Sequence, residues 1–259
     1  MRLAIVQTKP EFGNVESNIE NALSLMQSVS ADLYVLPELF NTGYNFIETK
    51  EVGDLAEPSN GRTFQALMAF AAQRSCFVAY GFAERADQLY NSAALIGPSG
   101  LVGAYRKVHL FDRETLFFKS GNLGFPVFDM PFGKVGMMVC FDWIYPESAR
   151  TLAMKGAQLI IHPSNLVLPY CPDAMITRCL ENRVFAATAN RVGNENRGSI
   201  DLRFIGTSEI VSPRGEILAR LTGDEPGIAT VDVDLNEAEQ KKINHHNDLL
   251  TDRRPEQYR

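Results

Sequence analysis

Residues 134–150 read KVGMMVCFDWIYPESAR. Val135, Gly136, Met137, Met138 and Val139 form an apolar run with β-branched ends and no helical period, and Pro146, Glu147 and Ser148 carry the signals of a helix start. The segment predicts a buried strand, a corner and a helix, with Cys140 at the corner. There the backbone N–H of Phe141 is free to face a ligand, and a thiol beside it is a candidate nucleophile. Free cysteine is also among the residue types most often buried for packing alone. The rest of the chain decides between the two readings.

Working outward, residues 2–7 (RLAIVQ) read as an opening strand, and 14–29 as an amphipathic helix with Ile19, Ala22, Leu23 and Met26 on one face. A strand over 32–36 runs into Pro37 and Glu38. The proline breaks the ladder, so the Glu38 carboxylate projects from the end of a sheet. A helix over 61–74 precedes strands at 77–83, 89–96 and 101–105, the last ending in Arg106, Lys107, Val108 and His109. The loop LFDRETLFFKSGNLG then carries Glu114, and loops that long inside a domain are usually functional. Beyond the corner, a helix at 146–155, a strand at 158–162, a helix at 172–183 and a strand at 184–189 continue the alternation. Residues 203–211 and 215–219 read as a hairpin, 227–233 as the last strand and 235–243 as a short helix. The polar segment 244–259 has no core face of its own, and is either frayed or bound to a partner. This inventory is α/β with mixed sheets, and two sheets covered by helices would use it. With no linker composition, residues 1–259 read as a single domain.

Composition narrows the function. The 259 residues carry a formal charge of −6 and no basic stripe, which argues against nucleic acid. No apolar run approaches the ~18 residues that span a bilayer, and no secretory leader is evident, so a cytoplasmic protein is expected. Cys76, Cys140, Cys171 and Cys179 contain no C-x-x-C pair, leaving no zinc knuckle and no thioredoxin-like motif.

Glu38, Lys107 and Cys140 each fall at the carboxyl end of a different strand, where ligands bind in α/β folds. A thiol needs a base. His109 or His162 would make a Cys–His pair, although a structural role is favoured for each. A carboxylate beside an ammonium does the same work: Lys107 favours thiolate and oxyanion while Glu38 accepts and returns the proton. A non-catalytic binding protein of the same fold is the alternative from another class.

The segments LPELFNTGYNF, YRKVHLFDRE and CFDWIYPESARTLAMKGAQLI resemble, in order, the three signature regions of the nitrilase superfamily, the carbon–nitrogen hydrolases of amides, nitriles and carbamoyl groups. The resemblance implies a four-layer αββα sandwich of two mixed sheets and calls for no metal or organic cofactor. It also implies Cys140 as nucleophile, Glu38 as general base, Lys107 and the Phe141 N–H at the oxyanion, and Glu114 as a further acid in the pocket. Tyr44, Phe111, Trp143 and Asn165 lie in or beside the motif loops as candidate substrate contacts. Phe141 and Asp142 stand where carbamoylases of N-carbamoyl amino acids are expected to place Arg, which favours a small amide, with nitrile hydrolysis next. Members typically form homodimers, and 244–259 would pack on the neighbouring subunit.

Overall fold

Along β1 (Arg2–Gln7) the side chains alternate between two cores: Leu3 and Ile5 enter one hydrophobic cluster, Ala4 and Val6 the other. A strand buried on both faces has covering layers on both sides. The computed structural model describes residues 1–258. After β1 come α1 (Val15–Gln27), β2 (Leu33–Val35), α2 (Thr49–Leu55), α3 (Arg62–Arg74), β3 (Phe77–Arg85), β4 (Leu89–Gly97) and β5 (Gly100–Arg106). The middle of the chain holds α4 (Glu114–Phe117), β6 (Val127–Met130), β7 (Gly133–Met137), α5 (Pro146–Met154), β8 (Leu159–Pro163), α6 (Cys171–Asn182) and β9 (Phe185–Ala189). It closes with β10 (Val192–Arg197), β11 (Ile200–Ile205), β12 (Glu209–Val211), β13 (Ile217–Arg220) and β14 (Gly227–Asp232).

The strands form two six-stranded sheets, β14-β1-β2-β3-β4-β5 and β13-β12-β9-β8-β7-β6, each with a parallel central trio flanked by antiparallel strands. Helices α1 and α3 cover the first sheet, where Ile19, Ala22 and Met26 meet Leu67, Phe70 and Ala71 over Tyr34 and Val78. The second sheet carries α5 and α6: a Cβ on Gly136 would sit 3.0 Å from Leu152. The inner faces share one core in which Ile5 and Val35 join Met137 and Ile161. This is the expected four-layer αββα sandwich. No helix among the described residues is long and apolar enough to cross a membrane.

Three expectations change. The strand read over 203–211 is broken at Gly206 and Thr207, whose φ of +59° and +54° turn the chain. Its first part pairs with β10 in a separate two-stranded sheet, and its second joins β9 and β13. The helix read over 235–243 is a 3-10 turn at Leu235–Glu239, since only Leu235 and Ala238 on it are buried. The long loop after Lys107 contains a single helical turn, α4, which buries Glu114. Residues 244–258 fold into turns, with Leu249 N–H donating to the Lys241 carbonyl at 3.0 Å. Arg259, the end of the segment assigned to a neighbouring subunit, lies outside the described residues.

Gly81 of β3 is where the sheet presses on the chain leaving β2. Its N–H donates to the Pro37 carbonyl at 3.1 Å, and a Cβ there would lie 2.5 Å from Glu38 Cα. Backbone cannot retreat as a side chain can. Gly81→Ala is expected to destabilise the protein by about 1–3 kcal/mol and to shift Glu38, readable as a lowered denaturant midpoint together with a lower turnover of the folded fraction.

Candidate active site

The two sheets bring their strand ends together at one rim. Glu38 leaves β2 and Lys107 leaves β5 in the first sheet, Cys140 follows β7 in the second, and α4 adds Glu114. All four are buried. Lys107 Nζ donates to Glu38 Oε1 and to Glu114 Oε1, both at 2.7 Å. Asn91 Nδ2 also donates to Glu38 Oε1 at 2.7 Å, and the Tyr44 hydroxyl donates to Glu114 Oε1 at 2.5 Å. Each carboxylate is thus held by one oxygen. The other, Glu38 Oε2 and Glu114 Oε2, has no partner in the protein.

Two carboxylates on one ammonium leave a net negative charge in a dry place. Burial pushes Glu38 up to about 7, Lys107 offsetting it only in part. Burial opposes the charge on Lys107, but Glu114 and Glu38 outweigh it and hold its pKa above the ordinary value. The Cys140 thiol is driven well above its usual range, by burial first and Glu38 next, with Lys107 pulling the other way. The cysteine is close enough to feel all three charges, and it rests as a thiol.

Cys140 begins a 3-10 turn (Cys140–Ile144) with φ +42°, a left-handed conformation uncommon for a non-glycine residue. Asp142 holds this corner. Its Oδ2 accepts from Val139 N–H at 2.9 Å and the Tyr105 hydroxyl at 2.7 Å, and its Oδ1 accepts from His109 N–H at 3.1 Å and lies 2.8 Å from His109 Nδ1. Among the described residues no acceptor meets the Phe141 N–H.

The two histidines considered as bases are both engaged elsewhere. His109 is tied to Asp142 and stacks on Tyr145 at 3.8 Å. His162 Nε2 lies 2.9 Å from the carbonyl oxygen of Cys140, and burial pushes its pKa down to about 4. Of the candidate contacts, Phe111, Trp143 and Asn165 line an open cleft over Cys140 with Phe141, Leu166, Val167 and Leu168. Asn165 N–H donates towards the thiol and lowers its pKa, while both polar atoms of the Asn165 side chain are unpartnered. Tyr44 sits on the Glu114 side in a second cleft, which Phe111 also lines. Among the described residues no group of His, Cys, Asp or Glu is arranged to hold a metal ion.

The residues that hold the Tyr44 loop escaped sequence reading. Buried Glu195 accepts from Tyr44 N–H at 3.0 Å and Asn45 N–H at 2.6 Å and pairs with buried Arg191, whose Nη2 donates to the Pro10 carbonyl at 3.1 Å. Arg191 also lies 4.0 Å over the Phe204 ring, which Tyr44 meets edge-on. Their one local signal is the charged pair spaced i, i+4 in NRVGNENR, indistinguishable from a solvated pair until the loop from residue 41 is in place.

Residues 2–243 match the carbon–nitrogen hydrolase family. The chain is 48% identical over 263 residues to a nitrilase of Pyrococcus abyssi, covering 100% of this chain and 99% of that one. It is 33% identical to an (R)-stereoselective amidase of a Pseudomonas species, over 98% and 92% of the two chains. Among solved structures, an amidase from Nesterenkonia sp. AN1, with the acetamide moiety of fluoroacetamide added covalently at its active-site cysteine, superposes with a TM-score of 0.78 at 25% identity, over 94% of each chain.

The Glu195 anchor is testable apart from any substrate. Glu195→Ala leaves the buried Arg191 guanidinium uncompensated, and removing one partner of such a pair typically costs about 3–5 kcal/mol. Glu195→Gln, which keeps an acceptor for the Tyr44 and Asn45 amides, should lose less. Chemical denaturation of the two variants checks the order.

Proposed function

The chain belongs to the carbon–nitrogen hydrolase family, and from that premise we propose that it hydrolyses small amides through a Cys140 thioester, with Glu38 as base and Lys107 at the oxyanion. The observation that carries this reading is Lys107 Nζ held between Glu38 and Glu114 at the rim where the buried Cys140 also lies.

The resting thiol is a weak nucleophile, so its proton has to leave as the C–S bond forms. Glu38, raised to about 7, is matched to take a proton near neutral pH. Cys140 Sγ attacks the amide carbonyl carbon, the proton passes to Glu38, and the oxyanion is met by Lys107 and the Phe141 N–H. Glu38 returns the proton to the departing nitrogen, the C–N bond breaks, and ammonia leaves a thioester. Water, deprotonated by Glu38, attacks that thioester, the carboxylic acid is released and the thiol is restored. Glu114 keeps Lys107 charged and fixed through the cycle, and its free Oε2 is an acceptor for an amide N–H. The cleft over Cys140, with Phe111 and Trp143 as walls and the Asn165 amide at its edge, suits a small, mostly apolar acyl group.

Nitrile hydrolysis is the second reading, favoured by the 48% identity to a protein named as a nitrilase. The same thiol would add to a nitrile carbon to give a thioimidate, whose hydrolysis releases ammonia and the same thioester.

Ammonia release from panels of small amides and nitriles discriminates between them, and Cys140→Ala is expected to lower it at least ~10³-fold on the true substrate. Full retention by Cys140→Ala would sink the mechanism. For pH, the sign follows from Glu38: below about 7 its carboxylate is protonated and cannot accept the thiol proton. The rate constant kcat/KM should therefore fall on the acid side with an apparent pKa near 7. Glu38→Gln should lose ~10²–10⁴-fold and abolish that limb, as a pH–rate profile of both proteins would record.

A further inference from the structure

His162 is fully buried, yet it faces the nucleophile's backbone and not its sulfur. Its other ring nitrogen, Nδ1, lies 3.1 Å from Thr188 Oγ1, the residue it pairs with across β8 and β9. A carbonyl oxygen only accepts, so a bond to Cys140 O requires the proton on Nε2, and Nδ1 is then left to accept from the Thr188 hydroxyl. The depressed pKa keeps the ring neutral near pH 7, with a single N–H to aim. Ser164 Oγ, 3.2 Å from Nε2, adds a second, weaker acceptor on the same side.

The carbonyl of Cys140 and the N–H of Phe141 belong to one peptide unit. That unit is planar and trans, so its C=O and N–H point in opposite directions. Pinning the oxygen on the imidazole fixes where the hydrogen goes. Cys140 itself holds a strained left-handed φ, so the orientation of this peptide is not what the backbone would adopt unaided. We propose that His162, set by Thr188, is a positioning residue that holds the 140–141 peptide so that the Phe141 N–H points at the developing oxyanion. The inference rests on the cysteine mechanism above and extends it. The Thr188–His162–Cys140 carbonyl relay aims a backbone donor and takes no proton from the thiol.

The test separates attack on carbonyl carbon from chemistry that needs no oxyanion donor. Methyl methanethiosulfonate reacts at sulfur: the Cys140 thiolate forms a new S–S bond and methanesulfinate leaves. His162→Leu removes the donor, His162→Gln can return an amide N–H near the position of Nε2, and Thr188→Val leaves Nδ1 without its partner. Outright loss of an oxyanion donor costs ~10²–10³ in kcat. Misaiming one should cost about tenfold to a hundredfold in kcat with KM little changed in His162→Leu. The Gln variant should recover much of that loss, Thr188→Val should lose about threefold to tenfold, and all three should keep the wild-type rate of thiosulfonate modification at Cys140. Unchanged hydrolysis by folded His162→Leu overturns the proposal. So does a parallel fall in hydrolysis and thiosulfonate modification, which would place the ring's effect on the thiol itself. If His162→Leu does not fold, Thr188→Val carries the test: hydrolysis reduced with modification retained supports it, and both retained overturns it. Hydrolysis surviving in Cys140→Ala would instead remove the underlying mechanism, a result distinct from any of these.

Discussion

The site depends on one ammonium shared by two buried carboxylates. Lys107 Nζ bonds Glu38 and Glu114 at the same distance, 2.7 Å, with none of the three groups meaningfully exposed. Burying ions without compensation costs several kcal/mol each, and here the ammonium and one oxygen of each carboxylate are compensated by hydrogen bonds while two oxygens are not. Those two, Glu38 Oε2 and Glu114 Oε2, are left for whatever enters. The imbalance of charge is equally consequential. Burial first, and then a second carboxylate that weakens what Lys107 can do for Glu38, carry this carboxyl from 4.5 up to about 7, the range where it can exchange a proton with a thiol.

Holding that imbalance in place takes both sheets and several local departures from regular backbone. Leu39, directly after Glu38, and Cys140 both have positive φ, at +48° and +42°. Both kinks fall beside the strand ends that carry the candidate groups, and each corner is held by neighbours: Gly81 against the Pro37–Glu38 backbone, Asp142 across the corner from Val139 to His109. Asp142 is where a carbamoylase-type pocket is expected to offer Arg. Here the carboxylate spends its oxygens on the scaffold and has none to spare for a ligand.

How much of this was legible follows from sequence distance. Periodicity found the central strands and the helices covering both sheets, because burial on one or both faces writes itself into local pattern. Glu38, Lys107 and Cys140 could be marked because each follows an apolar strand. Glu114 could be placed in the pocket only through the family resemblance, since nothing in FDRETLFF reveals that the loop coils into α4. Asn91 sits near the start of β4, where the polar pair in YNSAALI gives no hint that the Asn91 amide meets a carboxylate 53 positions earlier. Glu195 reaches back about 150 residues to the Tyr44 loop. The break at Gly206–Thr207 was missed for a related reason: β11 and β12 are each apolar enough to read as one strand, and only their different partners separate them.

The same geometry argues against a histidine as the base of the proposed reaction. A Cys–His pair works by giving the thiol's proton to an imidazole that is then stabilised as a cation. His162 is buried, neutral and committed through Nε2 to a carbonyl, and charging it would place a cation in a site that already disfavours one. His109 is bound to Asp142 and stacked under Tyr145. With both imidazoles engaged, the remaining acceptor beside Cys140 is a carboxylate lifted towards neutrality. In the proposed reaction an anionic base also suits the charges that follow: on taking the proton Glu38 would become neutral, the sulfur's charge would move onto the oxyanion, and Lys107, still paired with Glu114, would face a negative charge in place of the one it has lost.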